Sequence, residues 1–112
     1  MNDSSDTRHL TALRAAADQA SGLLKALSNP DRLLVLCQLS AGELCVGDIE
    51  KKTGIRQPTL SQQLTVLREE GLVTARRDGK QIFYSIASDK ALAVIEVLYR
   101  LYCGHEQHLD AE

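Results

Sequence analysis

Residues 44–86, LCVGDIEKKTGIRQPTLSQQLTVLREEGLVTARRDGKQIFYSI, hold the pattern that decides the fold. From Cys45 to Lys52 a short helix offers Val46 and Ile49 to a core and stops at Gly54, a residue suited to the left-handed turn after a helix. Pro58 opens another helix that runs to about Glu70 and is closed by Gly71. On it Leu60, Leu64 and Leu67 recur at the 3.6-residue spacing of one buried face, with Thr59 and Gln62 read as opposite and Ser61 and Gln63 as flanks. Val73 to Arg77 and Gln81 to Ile86 then alternate like strands around Asp78-Gly79-Lys80, with Ile82, Tyr84 and Ile86 as their apolar face. Helix, turn, polar helix and basic hairpin, in that order, spell a winged helix-turn-helix, with 45–71 as the helix-turn-helix and 72–86 as the wing.

Hydroxyls and amides at the start of an exposed helix face are what reading a major groove requires, because they donate to and accept from base edges while the helix end favours phosphate. Alone, that face equals any solvated one; the basic hairpin behind it changes the reading. The expected DNA-contacting set is Arg56, Gln57, Thr59, Ser61, Gln62, Gln63 and Arg68 on the helices, with Arg76, Arg77 and Lys80 on the wing. The chain's net charge of −2 does not oppose this, because the charge is uneven. Residues 51–80 carry 7 basic and 3 acidic groups, whereas 1–50 carry 4 and 7 and 81–112 carry 2 and 5. Counterions are displaced where the basic surface lies, whatever the acidic faces do elsewhere.

Outside this module the chain is helical and apolar. A first helix over 7–27 repeats Leu10, Ala17, Leu24 and Leu13, Ala20, Leu27 every seven residues, a seam fit for another helix. Asn29 and Pro30 then cap and open a core helix from about Asp31 to Ser40. The last helix, within 88–103, is apolar nearly all round, relieved by Glu96 and Arg100 as an i,i+4 pair. That is more apolar surface than one small domain covers, so a homodimer through the first and last helices is expected. Its two reading helices would meet successive major grooves roughly 34 Å apart on a near-palindromic operator of double-stranded DNA. The expected architecture is mainly α with a β-hairpin wing, in the order ααααββα. It is one domain over 1–112, with 1–6 disordered and 104–112 a polar tail.

No apolar run reaches the roughly 20 residues of a membrane helix, and the Asp-, Ser- and Thr-containing start lacks a signal pattern, so a cytoplasmic protein with no membrane partner is expected. Three cysteines without a CxxC fit reduced thiols rather than a disulfide scaffold.

The Gln57-Pro58-Thr59-Leu60-Ser61-Gln62-Gln63-Leu64 core, the Gly71-Leu72-Val73 exit and the Ser28 to Leu33 run together resemble the arsenic-repressor (ArsR-type) family of small bacterial homodimeric repressors. The resemblance covers nearly all of the chain after about residue 10. It implies that the terminal helices build the dimer and that the helix beginning near Pro58 enters the major groove. Metal- and arsenic-sensing members carry Glu-Leu-Cys-Val-Cys-Asp on the third helix; here Glu43-Leu44-Cys45-Val46-Gly47-Asp48 lacks the second thiolate. One soft ligand holds a thiophilic ion poorly, so a metal-responsive alternative would rest on Cys45 or on the tail residues His105, Glu106, His108 and Asp110; no metal or cofactor is expected. Cys37 and Cys103 instead resemble the pair of the persulfide- and oxidant-responsive branch. That likeness implies a dithiol form that binds DNA and a disulfide- or polysulfide-bridged form that releases it, with persulfide, polysulfide or oxidant as inducer. Cys45 has no role in it, and without Cys103, Cys37 would read as a small core hydrophobe.

The chemistry imposes a condition. Only a thiolate attacks a persulfide sulfur, yet both cysteines lie near helix C-termini, where the dipole disfavours negative charge. Arg100 and His105 are the nearest cationic candidates to compensate. A bridge would tie the second helix to the dimerising last one, and a coupling of about 1–3 kcal/mol weakens binding roughly 5- to 150-fold. A plain disulfide needs its α-carbons within about 7 Å; a wider gap favours polysulfide. A thiol enzyme using the same cysteines is the remaining class, opposed by the missing CxxC, the absence of a cofactor loop and the sequence committed to a DNA reader. The expectation is that the chain is not an enzyme.

Overall fold

The computed structural model describes residues 2–104. Five helices and a small sheet follow one another as α1 (Asn2–Leu27), α2 (Pro30–Leu39), β1 (Leu44–Cys45), α3 (Val46–Thr53), α4 (Thr59–Glu69), β2 (Val73–Asp78), β3 (Gln81–Ile86) and α5 (Asp89–Tyr102). This is the expected mainly helical order with one insertion, the two-residue strand β1. Cys45, expected to begin a helix, lies in that strand opposite Phe83, while Leu44 faces Tyr84. The reason is local: Leu44 and Cys45 complete the free edge of β3, and Cys45, in extended conformation, becomes the N-cap residue of α3. The second difference is at the amino end. Residues 1–6 were expected to be disordered and the helix to start near Thr7, but α1 begins at Asn2. Residues 2–6 contain neither glycine nor proline, so the sequence offers no helix breaker before Thr7.

Turn chemistry sets the remaining boundaries. The Asn29 side chain accepts a hydrogen bond from the Arg32 backbone N–H at 3.0 Å, and Pro30 occupies the first helical turn. Gly54, at φ 76°, ends α3 in the left-handed region, where a side chain would be strained. Ser88 caps α5 through the Ala91 N–H at 3.0 Å. β2 and β3 pair antiparallel from Val73 with Ile86 out to Asp78 with Gln81, leaving Gly79 and Lys80 as the turn. Their apolar face fades outward: Tyr84 is buried, Ile86 half-buried and Ile82 exposed, because the tip of the wing leaves the core.

α2 is the hub. Its Val35 and Leu36 are fully buried and packed in one cluster with Ile49 of α3, Leu60 and Leu67 of α4, and Ala91 and Ile95 of α5. Each of the Val, Leu and Ile side chains among them contributes roughly 1.5–3 kcal/mol of burial. α1 shares in this core toward its end, through buried Ala26 and Leu27 and the partly buried Leu23. The rest of it stands clear, and the radius of gyration is 17.5 Å, against about 13 Å for a compact chain of this length. Along the projecting part Leu10 and Leu13 are 62% and 56% exposed, and on α5 Leu101 and Tyr102 are 70% and 76% exposed. No helix is long and apolar enough to cross a membrane among the described residues.

Candidate DNA-reading face and dithiol site

The start of α4 is closed by a side chain from the turn before it. Gln57 Oε1 accepts from the Ser61 backbone N–H at 3.0 Å and from Ser61 Oγ at 2.6 Å. An otherwise orphan helix donor is thereby satisfied. Leu60, Leu64 and Leu67 are buried as the pattern required, and Ser61, Gln62, Thr65 and Arg68 form the exposed stripe. Thr59 and Gln63 do not belong to it; both are half-buried. At about 100° of rotation per residue, Gln63 falls next to the leucine stripe rather than across from it. Sequence reading therefore placed the polar face slightly wrongly and left out Thr65.

Gln63 has a specific occupant. Arg32 of α2 donates from Nη1 to Gln63 Oε1 at 2.9 Å and from Nε to the Ala26 carbonyl at 2.6 Å. One guanidinium thus joins the last turn of α1 to α4. Gln63 is an anchor of the reading helix and not a free base reader. Arg32 was missed, although it lies within the Ser28 to Leu33 run and an arginine near a helix end commonly satisfies terminal carbonyls.

The wing shows the same division. Arg77 and Lys80 are exposed near the tip and Arg56 is exposed on the turn before α4. Arg76 is not free: Nε and Nη2 each donate at 2.7 Å to the Glu43 carboxylate, its guanidinium carbon lies 4.7 Å from the Phe83 ring centroid, and Asp78 is 3.8 Å away. The hydrogen bonds from Arg76 hold the Glu43 carboxyl below its usual range, and the same bonds push Arg76 upward. As expected phosphate contacts, Arg77, Lys80 and Arg56 stand available and Arg76 is already engaged.

On the other side of α2, Cys37 is half-buried and its thiol is pushed above its ordinary value, first by burial and then by the neighbouring Cys103. Two cysteines remote in sequence are thereby brought within electrostatic reach of each other; neither is in a disulfide. A cleft of about 540 Å³ opens beside Cys37, lined also by Gln38, Ser40, Glu96, Tyr99 and Arg100. The expected Glu96–Arg100 ion pair is not formed; among the described residues neither group has a salt bridge or hydrogen bond. Arg100 lines the Cys37 cleft, but no cation is among the causes acting on that thiol, so it does not relieve the condition set by the chemistry. Cys45 stands apart, half-buried in β1. Among the described residues no group of three His, Cys, Asp or Glu side chains is placed to hold a metal, and His105, Glu106, His108 and Asp110 lie outside the described residues.

Residues 29–75 match the family model for bacterial regulatory proteins of the arsR family. The chain is 52% identical over 100 residues to a biofilm growth-associated repressor from Agrobacterium fabrum, covering 89% of this chain and 86% of that one. Among solved structures it is similar to reduced HlyU from Vibrio cholerae, with a TM-score of 0.79, 40% identity and coverage of 82% of this chain and 97% of the other. It is also similar to a homodimeric winged helix-turn-helix DNA-binding domain from Mycobacterium bovis, with a TM-score of 0.68, 35% identity and coverage of 85% and 88%. With the hairpin wing, the amide- and hydroxyl-bearing reading helix and these likenesses together, the chain belongs to the arsR family of bacterial regulatory proteins, in the branch that includes HlyU and the biofilm growth-associated repressors.

Proposed function

We propose that this protein is a homodimeric transcriptional repressor whose grip on operator DNA is released when Cys37 and Cys103 are bridged. The exposed seams of α1 and α5 are the dimer surface. Ser61, Gln62, Thr65 and Arg68 read the major groove, and Arg56, Arg77 and Lys80 hold phosphates. The observation that carries the switch is the pairing of Cys37 on α2 with Cys103 after α5, close enough for one thiolate to disfavour the other. Joining them ties the hub of the core to a dimer helix. The hub bears Arg32, which reaches both α1 and the reading helix. A small change at α2 therefore acts on the angle between the two reading heads. Support also comes from the names of the relatives, one a repressor and one solved as a reduced protein.

The test is intact mass of the purified dimer after separate treatment with a persulfide donor and with peroxide, followed by operator binding of each product. A crosslink between Cys37 and Cys103, with or without added sulfur, that lowers operator affinity is expected. Unchanged release from DNA by a Cys37→Ser, Cys103→Ser double variant under reactive sulfur would overturn the reading.

A further inference from the structure

The cleft beside Cys37 holds two opposite charges that do not use each other. Glu96 and Arg100 are one turn apart on α5, and both line the cleft, yet neither is paired among the described residues. Tyr99 lies between them in sequence and lines the same wall, and Gln38 and Ser40 face it from α2. By helical spacing Cys103 follows Tyr99 by one turn and so shares one side of α5 with the charge pair, while Cys37 lines the same cleft from α2. Val97 and Leu101, part of the seam proposed above, are exposed and lie across the helix from Tyr99 and Cys103. A partner subunit seated on Val97 and Leu101 would approach α5 from the side away from the cleft. At about 540 Å³ it lies within the range of small-molecule sites.

We infer that this cleft is a recognition site for a small zwitterionic organic persulfide, an amino-acid-like molecule whose carboxylate is held by Arg100 and whose ammonium is held by Glu96, with its sulfane sulfur presented to Cys37. The proposal deepens the dithiol reading and rests on it. Holding the donor matters because a half-buried thiol supplies little thiolate at neutral pH, so the reaction gains from orientation where it lacks nucleophile. In the step itself the Cys37 thiolate attacks the terminal sulfur of RS–SH. The RS–S bond breaks with its electron pair leaving on RS⁻, and Cys37 becomes Cys–S–SH. The Cys103 thiolate then attacks the Cys37 sulfur and expels HS⁻, so two thiols are oxidised while the transferred sulfur is reduced to sulfide. If Cys103 has itself first taken a sulfur from a second donor, its persulfide makes the same attack and leaves a trisulfide.

The test uses the full-length reduced protein and intact mass against time, with cysteine persulfide and inorganic hydrogen persulfide as paired probes. The ratio of their rates is the readout, because any effect on the thiols alone cancels in it. Arg100→Gln is expected to lower the ratio about 10-fold, the scale of one charge-assisted hydrogen bond, and Glu96→Gln a few-fold. With 3-mercaptopropionate persulfide, which lacks the ammonium, the Arg100→Gln loss persists and the Glu96→Gln loss vanishes. An unchanged ratio in both variants overturns the site. Wild-type protein that forms no bridged product even with hydrogen persulfide refutes the dithiol reading instead. Binding is then decided independently by titrating inert S-methylcysteine into Cys37→Ser protein. Amide shifts at Tyr99 and Arg100 are expected, and their absence overturns the site whatever the thiols do.

Discussion

The reading half of the molecule, α3 through β3, is finished within one chain, whereas the framing half, α1 and α5, is not. In the former, Gln57 caps α4, Arg32 holds Gln63 and Glu43 holds Arg76, so side chains are fixed before any ligand arrives. In the latter, leucines of two helices face solvent. A surface left apolar along two helices is incomplete without a second copy. On the proposed function, the difference separates specificity, built locally, from spacing, set by the subunit contact.

The sharpest way to break this contrast is a charge on the seam. Leu13→Asp or Leu101→Asp is expected to leave far-UV dichroism intact, convert the dimer to monomer in sedimentation, and lower operator affinity by about 10²- to 10⁴-fold through loss of two-site binding. Retained dimerisation in both would remove the distinction. Next in size, Leu60→Ala opens a cavity beneath α4, and urea unfolding should show a loss of about 2–5 kcal/mol. This is expected in dimer and seam-broken monomer alike, because Leu60 belongs to the self-contained half.

Smaller effects sharpen the comparison inside the reading half. Arg32→Lys and Gln63→Ala should each weaken specific binding, and their double variant should show a coupling of about 1–2 kcal/mol in operator affinity and little in affinity for random DNA. Additive losses, or equal losses on random DNA, would reduce Arg32 to a packing residue. Finally, Arg77→Gln is expected to flatten the slope of log affinity against log salt by about 0.9, one phosphate, while Arg76→Gln leaves the slope nearly unchanged. Equal slopes for the two variants would mean that DNA draws Arg76 away from Glu43.

Periodicity revealed the helices because burial follows it: Leu60, Leu64 and Leu67, or Asn29 before Pro30, carry their meaning in spacing and residue type alone. β1 was hidden because two residues are too few to alternate, and their pairing with Tyr84 and Phe83 is a long-range event. The same holds for the polar residues. A basic hairpin announces phosphate contact, but nothing within Arg76-Arg77 says that one of the pair is already taken by a carboxylate 33 positions earlier. Gln63 shows a finer limit, since a single step of helix rotation decided whether it faces outward or toward Arg32. The cysteine pair was legible from resemblance, and its environment, with a raised Cys37 thiol and no ion pair at Arg100, from the coordinates alone.

The two-residue strand β1 also constrains motion. Leu44 and Cys45 are bonded to β3 on one side and run directly into α3 on the other, so the wing cannot swing without carrying the helix-turn-helix along. If the proposed bridge releases the protein from DNA, the expected course is undocking of an intact body. Amide protons of β3 and α3 should exchange as slowly after the bridge forms as before it, and the operator should come free without any part of the reader melting.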